Sequence, residues 1–168
     1  MTESFSPIIG QSVTLRPLRR EDIDIETAFV TGLSPETRAN RLLGGAIRIT
    51  REYIEKLISV DYARDMALAA TVMIGNQETL IGVARYVRDA DGRGCEFAIV
   101  VADAWQGRGI GKRLLGKLVA VAGSRGLARI YGEILATNRP MLEMVKRLGF
   151  RLERNPDDAT VVRAVREP

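Results

Sequence analysis

The sequence has no histidine and a single cysteine among its 168 residues. Without an imidazole, a general base has to be a carboxylate, a tyrosine, a lysine, an N-terminus or a water. A lone cysteine forms no internal disulfide, which fits a reducing, cytoplasmic setting. With no histidine to activate it, Cys95 reads as core packing rather than as a nucleophile. No apolar run reaches the roughly 18 residues of a membrane helix. Met1 to Gln11 lacks the basic and apolar regions of a secretory signal and reads as a loose leader. No linker, repeat or low-complexity tract interrupts the chain, so residues 1–168 are expected to form a single domain.

What is present suits a globular protein. Apolar residues make up 46% and charged residues 27%, enough for one sizeable core. The net charge of +4 comes from 25 basic and 21 acidic residues, well dispersed. That balance favours a polyanionic cofactor and gives little reason to expect nucleic acid or a membrane as partner.

The most informative stretch runs from Val100 to Leu115. It reads as a strand end, a glycine-rich turn and a helix start, with Ile110, Leu114, Leu115 and Leu118 at helical spacing. Gly107, Gly109 and Gly111 let backbone amides approach a ligand, and the helix N-terminus adds unpaired N–H groups and a positive dipole end. Together these make a seat for a phosphate. The stretch is not a P-loop, because no Gly-Lys-Ser/Thr follows. It is a poor dinucleotide fingerprint too, because Lys112 stands where the third glycine belongs.

Read in order, the chain predicts a strand over 13–18, at a sheet edge, and a helix from Arg20 to about Leu33. A second helix capped by Ser34 ends at Gly44-Gly45, and a third starts at Thr50. Strands over 66–74 and 79–87 are joined by a hairpin at Gly75, and a third strand covers 95–102. The long helix then runs to about Arg125. A strand over 129–136, a helix capped by Asn138, and a final strand pair over 150–153 and 159–165 complete the order β-α-α-α-β-β-β-α-β-α-β-β.

The spacing Gln106, Gly109, Gly111 resembles the acyl-CoA pyrophosphate loop of the GCN5-related N-acetyltransferase (GNAT) superfamily. Asn138 with Leu148-Gly149-Phe150 resembles that superfamily's distal segment. Stretches such as Leu33 to Arg38, Asp61 to Leu68 and Gly132 to Met141 resemble the acetyltransferase domain of Pat-type bacterial protein lysine acetyltransferases. The resemblance implies an α/β (α+β) GNAT fold, with a mixed, mostly antiparallel sheet of six to seven strands flanked by helices. It implies acetyl-CoA as co-substrate and no metal. The acceptor it implies is a protein lysine, or alternatively a small amine such as a polyamine, an amino sugar or an amino acid. A catalytically silent acyl-CoA sensor is a different reading of the same loop, and the chain is expected as a monomer or homodimer.

The resemblance assigns cofactor binding to Ile99, Val100 and Val101 along the strand, to Gln106, Gly107, Arg108, Gly109, Ile110, Gly111 and Lys112 in the loop, and to Asn138 and Met141 on the distal helix. Arg113 is a further side chain able to reach phosphate. Glu96 lies in an otherwise apolar strand, where burial would raise its pKa toward a useful range for a base, and it resembles the superfamily's glutamate base. A structural alternative is an ion pair with Arg85. Glu133 is the rival, as relay or amine ligand, or as partner of an arginine. The superfamily's thiolate-protonating tyrosine corresponds to Val145, which has no proton to give; Tyr131 or water is the substitute. Trp105 reads as an anchor for the turn.

Overall fold

The computed structural model describes residues 1–8 and 10–168. Eight strands form one sheet, ordered β1-β2-β3-β4-β5-β6-β8-β7. They are β1 (Glu3–Ile8), β2 (Gln11–Pro17), β3 (Met66–Ile74), β4 (Gln77–Arg88), β5 (Gly94–Val101), β6 (Arg129–Leu135), β7 (Arg151–Arg154) and β8 (Val161–Arg166). The helices are α1 (Ile23–Thr31), α2 (Pro35–Arg41), α3 (Arg51–Ile58), α4 (Ile110–Ser124) and α5 (Arg139–Arg147). All neighbours are antiparallel except β5 and β6, which run parallel. This is the expected α/β architecture with more strands than the sequence predicts.

The difference lies at the N-terminus. The segment expected as a loose leader forms β1, so β2 is an interior strand and not an edge. Ile9, within that expected leader, lies outside the described residues. Glu3 accounts for part of the docking of β1, because it pairs with Lys117 at 2.6 Å and with Arg113 at 3.8 Å on α4. The first predicted helix also begins later: Arg20–Asp22 is a single 3-10 turn that leads into α1.

Helices cover both faces. On one face Leu114, Leu115, Leu118 and Ala122 of α4, with Val145 of α5, pack on Leu68, Ile81, Phe97, Ile99 and Ile130. On the other, Phe29 of α1 and Ile58 of α3 pack on Ala67, Ala69 and Val83, together with Leu33. Seven successive residues of β3, Met66 to Val72, are buried, which explains why that strand reads as a continuous apolar run.

The strands β5 and β6 pair only at Gly94–Arg129, Cys95–Ile130 and Glu96–Tyr131. Beyond that point they diverge. The Phe97 ring occupies the space beside Gly132, where a Cβ would meet it at 2.7 Å. The divergence leaves the C-terminal half of β5 with a strand neighbour on one side only, and this opening positions the site.

Candidate functional site

The glycine turn works locally as its spacing suggests. Gly107 and Gly109 adopt φ of 74° and 82°, a region where a side chain is strained. Gly109 is the N-cap of α4, and no side chain caps the helix or places an acid in its first turn. The amides of Gly107 through Lys112 have no hydrogen-bond partner among the described residues; the first helical bond runs from the Arg113 amide to the Gly109 carbonyl. A fifteen-residue helix thus presents a cluster of free donors at its positive end, and this fits a pyrophosphate.

Gly111 has a different task. A Cβ there would meet Met144 Sδ at 3.2 Å, Val101 at 3.5 Å and Ile99 at 3.7 Å. It allows α4, α5 and β5 to converge at the head of the opening. The Gln106 side chain is turned to the protein: its amide donates to the Val101 carbonyl at 3.0 Å and to Thr37 Oγ1 at 3.2 Å.

A groove of about 560 Å³ runs from this turn along β5 toward β6 and α5. Of the expected cofactor residues, Ile99, Val100, Val101, Gln106, Gly107, Gly109, Ile110, Gly111, Lys112, Asn138 and Met141 line it. Arg108 does not; its guanidinium lies over the Trp105 ring, 5.1 Å from the centroid, and Trp105 packs on the core as an anchor. Arg113 is engaged elsewhere, 4.4 Å over the Phe5 ring and beside Glu3. Lys112 remains as the basic side chain of the turn that faces the groove.

The ladder orients the strand's own donors. The Ala102 amide bonds the Ile81 carbonyl, on the β4 side. Alternation along an antiparallel strand therefore turns the amides of Ile99 and Val101 the other way, into the opening.

The two carboxylates lie differently from expectation. Glu96 is exposed, not buried, and its cross-strand neighbour Val87 is 56% exposed as well. Only the sheet face that carries Glu96 and Val87 is open at this end, since the adjacent Cys95 is buried in the core on the other face; Glu96 lacks the burial expected of it. Arg85 does not pair with it; Arg85 lies 3.6 Å from Glu26. Glu96 makes no ion pair or side-chain hydrogen bond among the described residues. It shares a face of β5 with Ala98 and Val100, and those two line the groove.

Glu133 does line the groove. Its Oε1 accepts from Arg163 Nε at 2.7 Å and lies 2.6 Å from Arg163 Nη2, while its Oε2 is buried without a partner among the described residues. Arg163 also lies 4.8 Å over the Tyr131 ring. The Tyr131 hydroxyl donates to Asp89 at 2.6 Å; burial first, then that bond, push its pKa up to about 12. That hydroxyl is therefore committed to Asp89. Val145 is fully buried in the core. Burial above all, with Asp89 nearby, pushes the Cys95 thiol up to about 12, so it stays protonated core packing.

The sequence gives no local signal for the contribution of α2. Glu36, Thr37, Asn40 and Arg41 line the groove because Asp103, just before the glycine turn, holds the start of α2. Asp103 accepts from Ser34 Oγ at 2.6 Å, the Ser34 amide at 3.0 Å and Thr37 Oγ1 at 2.7 Å, and these bonds, Ser34's first, lower its pKa to about 2.

Residues 45–150 match the family model described as the acetyltransferase (GNAT) family. The acetyltransferase PA5475 of Pseudomonas aeruginosa is 36% identical over 153 residues, which span 91% of this chain and 82% of that protein. The acetyltransferase Pat of Mycolicibacterium smegmatis is 33% identical over 141 residues, 83% of this chain but only 41% of that protein. Among solved structures, the GNAT domain of S. lividans PAT superposes with a TM-score of 0.87 at 27% identity, covering 99% of this chain and 97% of that one.

Proposed function

The chain belongs to the GNAT acetyltransferase family, and from that membership we propose that it transfers the acetyl group of acetyl-CoA to a protein lysine, with Glu96 as general base. The observation that carries the reading is the open edge of β5 beside the uncapped start of α4. Amides 107–112 and Lys112 bind the pyrophosphate. The pantetheine arm lies along Ile99 to Val101, held on its other side by Met141 of α5. An amide of that strand segment polarises the thioester carbonyl.

The acceptor enters from the side of α2. An ammonium carries no free lone pair, so its proton leaves first, through water, to Glu96. The neutral amine then attacks the carbonyl carbon and a C–N bond forms; the second proton of the attacking nitrogen leaves to water as the C–S bond breaks, and CoA departs as thiolate. No side chain protonates that thiolate, because Val145 has no proton to give and the Tyr131 hydroxyl is held by Asp89. Glu133, charge-paired through one oxygen, lines the groove where the acceptor amine or its water approaches.

The test is release of free thiol from acetyl-CoA in the presence of a lysine peptide. Glu96→Gln should lower kcat by about 10²–10⁴-fold, the usual contribution of a general base, and leave acetyl-CoA affinity unchanged by calorimetry. A variant within a few-fold of the parent would remove Glu96 from the mechanism.

A further inference from the structure

A second cavity, of about 50 Å³, lies on the α1–α3 side of β5 and meets the groove at Arg41, Ala98 and Val100. Its walls are largely apolar, yet it also holds Arg38, Arg41, Arg85 and Glu26. Guanidinium groups beside apolar walls are costly unless paired. Here the pairing is incomplete. Glu26 is 2% exposed; Oε1 stands 3.6 Å from Arg85, and Oε2 has no partner among the described residues. Arg85 gives one donor to the Leu57 carbonyl at 2.8 Å. Arg38 donates to the Thr31 carbonyl at 2.7 Å, while its Nε is buried and unpartnered. Arg41, on the shared rim, has no salt bridge among the described residues.

Three guanidiniums against one carboxylate leave the cavity positive. Burial pushes the Glu26 carboxyl up, toward its neutral form, and also lowers the Arg85 guanidinium, so the surplus rests chiefly on Arg38 and Arg41. The geometry points to an anion subsite for the acceptor: the cavity takes a carboxylate carried close to the acceptor amine. This rests on reading the groove as the acetyl-transfer site. The volume suits a carboxylate with its adjoining methylene, the room of a few waters. The planar fork of arginine matches a carboxylate. An acceptor rich in ammonium groups would instead meet like charge beside the thioester.

The experiment measures kcat/KM for lysine peptides carrying Glu, Gln or Lys at each flanking position, and for free glutamate and spermidine. At one position or more, Glu should exceed its neutral isostere Gln by about tenfold, the worth of one charge-assisted hydrogen bond. Lys at that position should fall below Gln. Arg41→Gln and Arg38→Gln should each reduce the Glu-to-Gln ratio. Equal rates for Glu, Gln and Lys peptides would overturn the subsite while leaving lysine acetylation intact. Acetylation of glutamate over spermidine, with no peptide accepted, would support the subsite and overturn the protein acceptor. Preference for spermidine would overturn both. A ratio that survives both substitutions would show that the preference arises outside this cavity.

Discussion

Glu96 stands exposed and unpaired, whereas Glu133 gives one oxygen to Arg163 and keeps the other buried and free. These environments suit different tasks. A carboxylate open to water exchanges protons readily; one fixed by a guanidinium is better suited to holding a donor in place. Glu133→Gln keeps the shape and removes the charge. It should raise the acceptor KM more than it lowers kcat, measured by steady-state thiol release. A loss confined to kcat, as large as that of Glu96→Gln, would make Glu133 the base instead. The residue types at both positions are legible in the sequence, because each carboxylate interrupts an apolar strand. Their burial is not. An apolar strand reads as covered on both faces, and only the assembled molecule reveals that Glu96 and Val87 share an open face while Cys95 is buried on the other.

At the scale of elements, the glycine turn and the Asn138 cap are local devices, fixed by neighbours in sequence, and both are legible there. The Asn138 side chain accepts from the Met141 amide, as a helix cap should. The role of Gly111 is not legible, because Met144 reaches it from α5. Gly111→Val should narrow the head of the groove and weaken CoA binding by at least tenfold in calorimetry, with the fold retained by circular dichroism. Undiminished CoA affinity would displace the cofactor from this turn. The tether of α2 carries a pH dependence. Asp103 has its pKa lowered, so its contribution is complete above the unfolded value near 4 and is lost as pH falls toward about 2. The protection factors of Ser34 and the first turn of α2, exchange rates normalised to the intrinsic rate at each pH, should therefore fall across that acid window. In Asp103→Asn they should be low already at neutral pH.

For the whole molecule, the alternation of strands and helices predicts the architecture well, because strand and helix periods are written in the apolar pattern. β1 escapes it, because beside its ladder to β2 part of what holds that strand comes from α4, far along the chain, through Lys117 and Arg113. Removing residues 2–8 should bare the edge of β2 and promote self-association, visible by light scattering. A truncated chain that stays as dispersed as the parent would make β1 dispensable. The proposed reaction carries acetyl from acetyl-CoA in the β5–β6 opening to a lysine amine. The most direct measurement mixes the protein with acetyl-CoA labelled in its acetyl group and a lysine-containing acceptor protein. Free thiol and labelled acetyl-lysine are then quantified by mass spectrometry. One labelled acetyl on a lysine Nζ is expected for each thiol released, and none with Glu96→Gln on the same timescale; acetyl-CoA that binds yet stays intact beside every lysine acceptor would rule the reaction out.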